Sequence, residues 1–191
     1  MAMRWLCLAA ATGLALAVAG CGRKDDRETS DSKVMSGPYY NFNPADRDFV
    51  SAASEANLEE LVAGRLALGK ATQGAVKTFA QQMIHDHRKI HDDLDELART
   101  KGVTLPTELE VEHKMEGSRL ADLSGTEFDR AYVAATVSNH HKAVSLFEEL
   151  PKKGRDPDVR AFAERTVPTL RKHLEMAQEL RSKVLGSTSP N

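Results

Sequence analysis

Cysteine is scarce in this chain: only Cys7 and Cys21 occur in 191 residues. No disulfide can therefore staple the body of the protein, which contains neither. There is no Gly-rich loop able to cradle a phosphate, no Cys-x-x-Cys pair and no nucleophile elbow, and Ser, His and acidic residues show no triad spacing. Basic residues do not outnumber acidic ones, 26 Lys and Arg against 28 Asp and Glu, so the electrostatic footprint of a nucleic-acid binder is missing. Alternating β-branched stretches are missing too, and with them any strand pattern.

One long apolar run exists. After a basic start at Arg4, residues Leu6 to Gly20 carry no charge, and Arg23, Lys24, Asp25 and Asp26 end the stretch. A spanning helix needs about 20 apolar residues, so the pattern reads as a secretory signal peptide over 1–20. Val18-Ala19-Gly20-Cys21 resembles the lipobox of bacterial lipoproteins, which implies cleavage before Cys21 and acylation of its thiol. Each buried CH₂ of such acyl chains contributes about 0.8 kcal/mol, so the membrane, reached through lipid at Cys21, is the expected partner. Gly22 rather than Asp follows, which in Gram-negative sorting favours the outer membrane, with the domain facing the periplasm. Ordinary signal cleavage beside a Cys is the alternative. Loss of Arg4 leaves 25 basic residues against the 28 acidic ones.

Residues 21–43 are polar, aperiodic and broken at Gly37-Pro38, the composition of a flexible tether. Residues 186–191 read as a disordered tail. Between them, 44–185 has the length of one domain with one core. Its punctuation marks helices. The first runs from about Pro44 to Lys70, the second from beyond Thr72 to Lys101 before Gly102, and a short third spans Glu108 to Leu123. The fourth runs from Thr126 to Leu150 before Pro151, and the fifth from Asp156-Pro157 to Leu185. The expected fold is all-α.

Seam positions, counted in steps of three and four, are mostly apolar. Each long helix carries one ionisable exception: Glu60 among Phe49, Ala53, Ala63 and Ala67; His87 among Val76, Ala80, Met83 and Ile90; His140 among Val133, Val137 and Phe147; His173 among Val159, Leu170, Ala177 and Leu180. At 1.5 Å per residue, Glu60 and His87 lie roughly 18 and 22 Å from their shared turn, and His140 and His173 roughly 21 and 28 Å from theirs. One layer of a bundle can hold all four. Three imidazoles and a carboxylate buried together need a partner, and a transition-metal ion, Zn, Fe or Cu, suits such donors. The opposing reading has these His satisfied in the core by Ser, Thr or water, and a rival stripe in the first helix (Leu58, Leu61, Val62, Leu66, Leu68) would turn Glu60 outward. Asp86 could orient an imidazole from behind. His85, His91 and His141 flank the seam and read as surface residues, although His91, four residues from His87, could share an ion with it; His113 shows no partner in the sequence, and Pro168 should kink the fifth helix.

Phe49 to Ala67, Val76 to Leu97 with Asp86-His87, the Leu105-Pro106 loop, Leu123 to Tyr132, His140 to Glu148 and Val167-Pro168 to His173-Leu174 resemble a bacterial family of exported proteins, the domain of unknown function DUF4142, whose members are labelled outer-membrane proteins. The resemblance implies a ferritin-like antiparallel four-helix bundle plus one short extra helix. It also implies recurrent polar positions at Glu60, Asp86, His87, Asp129, His140 and His173, with Asp86 and Asp129 supporting the ligands. Ferritin di-iron sites use Glu-x-x-His pairs, whereas Ile84, Val137 and Leu170 stand three residues before the histidines here, against a ferroxidase centre. The leading expectation is a non-catalytic, lipid-anchored envelope protein that binds one metal ion for metal handling or stress protection. A structural or interaction module without metal is the alternative, and an iron- or copper-dependent oxidoreductase is the third reading.

Overall fold

The computed structural model describes residues 42–186. Over them lie five helices: α1 (Pro44–Lys70), α2 (Gly74–Lys101), α3 (Val111–Asp122), α4 (Gly125–Lys153) and α5 (Pro157–Gly186), with no strand among the described residues. The expected signal segment 1–20, Cys21, the tether up to residue 41 and the tail from 187 lie outside them. Phe42 and Asn43, expected in the tether, belong to the bundle. Phe42 is buried in the core, and the Asn43 side chain accepts a hydrogen bond from the Ala45 N–H at 3.3 Å, capping a helix that has Pro at its first position.

Local chemistry sets the other boundaries. Gly102 ends α2 in the left-handed region at φ 66°, its N–H returning to the carbonyls of Ala98 and Arg99, the C-cap that glycine adopts without a Cβ penalty. Pro151 does not end α4, contrary to expectation. It removes a single N–H, and the turn beyond it is closed by the Gly154 N–H on the Leu150 carbonyl at 2.7 Å. Pro168 likewise sits inside a continuous α5. α3 starts at Val111 rather than Glu108.

α1 with α2 and α4 with α5 form two antiparallel hairpins. Lys101 Nζ at the end of α2 meets Asp156 and Asp158 at 2.8 and 2.6 Å, so α2 finishes beside the start of α5. α4 begins at the opposite end of the bundle, and the connection through α3 must run back along its length. Two hairpins joined by one long crossover is the ferritin-like arrangement. No helix among the described residues is long and apolar enough to cross a membrane.

Each hairpin holds the other's turn. The buried Asp46 carboxylate, in the first turn of α1, accepts from the Arg155 and Asp156 N–H groups at 3.0 Å each through Oδ2. The buried Asp129 carboxylate of α4 accepts from the Thr72 N–H at 3.0 Å, the Thr72 hydroxyl at 2.7 Å and the Gln73 N–H at 2.9 Å. One constant offset in numbering carries Asp46 onto Asp129, Phe49 onto Tyr132 and Val50 onto Val133, and also Val76 onto Val159, Phe79 onto Phe162 and Ala80 onto Ala163. The two hairpins are thus copies of one pattern, crossed so that each aspartate caps the other's turn.

The core falls into two apolar clusters, one at each end. Phe49, Phe147 and Phe162 pack edge-on or tilted at centroid distances of 4.9, 6.4 and 5.8 Å in the first, with Val50, Leu94 and Val159. Phe128, Tyr132, Val76, Met83 and Val184 anchor the second. Burying each such side chain contributes about 1.5–3 kcal/mol. Between the clusters every long helix presents polar residues: Ser54, Asn57 and Glu60 from α1, His87 from α2, Thr136 and His140 from α4, His173 from α5, all buried.

The aspartate caps give a stability test. Asp129→Ala leaves three donors of the α1–α2 turn without their acceptor, and we expect a loss of about 2–4 kcal/mol in urea unfolding. Asp48→Ala, an exposed position on α1, is expected within about 0.5 kcal/mol of the parent. Equal effects would show that Asp129 does not hold the turn.

Candidate metal centre

The polar layer brings three imidazoles from three helices to one point. His87, His140 and His173 each offer a ring nitrogen, and these atoms lie within 4.8 Å of one another. His87 Nε2 is 3.4 Å from His140 Nε2, which is 3.3 Å from His173 Nδ1. The rings are only 3 %, 1 % and 0 % exposed, so bulk solvent does not reach them.

The opposite nitrogen of each ring has its own acceptor. His87 Nδ1 lies 2.9 Å from Asn57 Oδ1. His140 Nδ1 lies 3.0 Å from the Thr136 carbonyl one turn back. His173 Nε2 lies 3.0 Å from Asp86 Oδ2. The Thr136 carbonyl and the Asp86 carboxylate only accept, so His140 Nδ1 and His173 Nε2 carry protons and these two neutral rings turn lone pairs inward; with the Asn57 amide oxygen facing it, His87 does the same. Three lone pairs converging without a donor between them repel; a cation at their centre reverses the sign. An imidazole oriented through its far N–H by a carboxylate or carbonyl is how metal-binding histidines are held.

The electrostatics keep the rings neutral. Burial, then the neighbouring His140 and His173, holds His87 well below the ordinary imidazole range. Burial, then His173, pulls His140 down to about 4. Burial also lowers His173, against the pull of Asp86. For Asp86, burial works against the charge, but hydrogen bonds from Gln82 and His173 outweigh it and hold the carboxyl below its usual range. The metal-binding form of each residue is thus its resting form.

Three of the four expected ligands come together. Glu60 is buried in the same layer, but its nearest approach is Oε1 to His140 Nδ1 at 3.6 Å, on the ring edge turned away from the other histidines. Neither Glu60 oxygen has a hydrogen-bond partner; Asn139 donates instead to Glu59 at 3.0 Å. Burial, then the charge of Glu59, pushes the Glu60 carboxyl up to about 8, against a smaller pull from the Asn139 amide, which lies close by but points at Glu59. Asp86 stands behind His173 as expected. Asp129 does not stand behind any histidine: its carboxylate is taken by the α1–α2 turn. His113 pairs with Glu59 at 3.0 Å, and His91 with Asp95 at 3.6 Å.

Asn57 and the Thr136 carbonyl were not anticipated. A search for ionisable seam residues passes over both. The numbering offset would have found Asn57, since it maps onto His140.

A ferritin-like helical bundle with a buried histidine triad able to hold a metal ion is the class defined so far. The chain belongs to the DUF4142 family, a domain of unknown function, whose profile it matches over residues 35–180. Among solved structures, the crystal structure of a DUF305 fragment from Deinococcus radiodurans is similar, with a TM-score of 0.67 at 17 % identity, covering 74 % of this chain and 98 % of that one. That likeness supports the fold. No curated protein matches the sequence.

The protonation pattern sets a pH profile for the metal-free protein. Unfolded imidazoles take up protons near 6.5 and the folded ones only further down, so the unfolded state binds more protons below that pH and stability falls with acid. Glu60 acts oppositely, because its unfolded carboxyl ionises near 4.5 while the folded one keeps its proton to about 8. Urea stability is expected to rise from about pH 4.5 to 6.5, where the imidazoles outweigh the carboxyl, and to decline from about 6.5 to 8. Glu60→Gln should remove the decline and steepen the rise, since the carboxyl opposes the imidazoles across the whole window; a decline that persists in that variant would assign it elsewhere.

Proposed function

We propose that this protein is a lipid-anchored protein of the cell envelope whose bundle holds one transition-metal ion at His87, His140 and His173 without turning over a substrate. The observation that carries the reading is the convergence of three proton-free ring nitrogens whose far nitrogens are each committed to an acceptor. At metal–nitrogen bonds of about 2.0–2.1 Å, tetrahedral geometry puts nitrogens about 3.3–3.4 Å apart, and facial octahedral geometry about 2.9 Å. The 3.4 and 3.3 Å separations at His140 Nε2 match two edges of a tetrahedral site, and the three nitrogens together lie within 4.8 Å. Three neutral imidazoles without thiolate suit zinc first, with copper and iron behind it. The cavity beside His87 and His140 is about 20 Å³, room for little more than one water. That supports holding an ion, in metal handling or stress protection, over processing a substrate. The leader, basic at Arg4 and then apolar, the lipobox-like end at Cys21 and the polar stretch after it support export, outer-membrane anchoring and a domain facing the periplasm.

The purified full-length protein is expected to carry about one ion per chain by mass spectrometry. His87→Ala combined with His173→Ala should lose it. Asp86→Asn should keep the site but bind about 10–100-fold more weakly. No ion in the wild type after exposure to Zn, Cu and Fe would leave the histidines as core of an interaction module. In a Gram-negative host, Cys21→Ser should move the protein out of the membrane fraction; retention there would rule out the lipid anchor.

A further inference from the structure

A site this deep needs an access route, and two adjoining cavities supply one. The outer, about 190 Å³, lies between α1, α3 and α4. Leu66, Leu120 and Ala135 form part of its wall, and Glu60, Thr136 and Asn139 line it too. The inner, about 20 Å³, is lined by Glu60, Asn139, His87 and His140. Glu60 and Asn139 are the residues common to both. A cavity needs about 10–15 Å³ to hold one water, so a hydrated ion fits the outer chamber and must shed water to enter the inner.

The path is acidic on balance, with Glu59, Glu60 and Glu116 against Arg119 and His113 in the outer lining. At the rim, Glu59 is held by His113 of α3 at 3.0 Å, and nearby the Glu55 and Glu110 side chains share a hydrogen bond, carboxyl to carboxyl. Deeper in, Glu60 is 4 % exposed and neither of its oxygens has a partner. A buried carboxyl without a donor is costly unless something comes to it. Among the described residues only the three histidines gather ligand atoms at ligation distance, so rim and carboxyl can pass an ion on but not retain it.

We propose that Glu60 is a transit ligand: a divalent cation enters beneath α3 between α1 and α4, displaces the Glu60 proton to water in the outer chamber, sheds water at the resulting carboxylate, and is handed from there to His87 and His140. The 3.6 Å between Glu60 and the outer edge of His140 places the carboxyl one ring away from the point of convergence. The inference rests on the histidine triad being a metal site, and its test separates the two.

Metal-free full-length protein is mixed rapidly with Co²⁺ and the visible bands of tetrahedral cobalt are followed in time, with final stoichiometry by mass spectrometry. Glu60→Gln, checked for unchanged thermal unfolding with bound cobalt, is expected to load about tenfold or more slowly, the effect of losing one charge-assisted contact, yet to reach the wild-type stoichiometry and bands. Ala135→Phe, a half-buried wall position that alters no ionisable group, should slow loading comparably by filling the outer chamber. Glu112→Gln, exposed on α3, should load at the wild-type rate. Wild-type loading in both Glu60→Gln and Ala135→Phe overturns the route and leaves the triad standing. A Glu60→Gln protein that never binds cobalt makes Glu60 a resident ligand and also overturns transit. Wild type that takes up no cobalt, zinc or copper overturns the metal centre itself, and the route with it.

Discussion

Removing three imidazoles from water in the middle of an apolar bundle is the constraint around which this structure is arranged. A buried imidazolium pays a desolvation penalty that no nearby charge here offsets for His87 or His140, so the rings stay neutral. A neutral ring still has one donor and one acceptor to satisfy. Asn57, the Thr136 carbonyl and Asp86 take the three donors, and each belongs to a different environment: a side chain of α1, the backbone of α4, a half-exposed carboxylate of α2. What remains unsatisfied is the acceptor side, and all three acceptors face the same point. The two apolar clusters above and below keep water from dividing that repulsion among hydrogen bonds.

The pattern shared by the hairpins explains how such a layer can be carried at all. At both ends the copies agree: a buried aspartate, an aromatic one turn later, a Val beside it, and the Val-x-x-Phe-Ala start of the second helix. These ends carry the apolar burial and the reciprocal turn caps. In the middle the copies disagree, because the same offset carries Asn57 onto His140, His87 onto Leu170, Ile90 onto His173 and Glu60 onto Ala143. One imidazole comes from the first hairpin and two from the second, with Asn57 standing where a fourth would be. Stability resides in the parts that repeat and chemistry in the part that does not.

Much of this was legible in the residues. Helix ends marked by Pro44, Gly102 and Pro157 were readable from backbone chemistry, and the seam count put His87, His140 and His173 in one layer because axial rise depends only on residue number. The same count put Glu60 inward against the rival stripe, of which Val62 and Leu68 are partly exposed, at 42 % and 36 %. Axial height does not fix where a side chain points, however. Glu60 shares the layer yet meets the outer edge of His140, and no spacing rule distinguishes that edge from the inner one. Asp129 could not be placed by seam reasoning either, since its partners are backbone N–H groups of a turn far away in sequence. Pro151 misled because a proline one turn from a helix end removes one bond without stopping the chain.

The crossover ties topology to access. Because α2 and α4 start from the same end, the chain between them must travel the length of the bundle, and α3 is laid across the α1–α4 side where Glu59 and Glu60 lie. Leu120 secures it to the core, while Val111 and Met115 remain 73 % and 53 % exposed, so α3 is held at one end and by the His113–Glu59 pair. An α1–α4 junction closed by a short, lightly packed helix opens more easily than one closed by long helices along their whole length. The segment that the fold needs merely to connect its halves is therefore also the least costly place to admit an ion, and the unpartnered carboxyl lies directly beneath it.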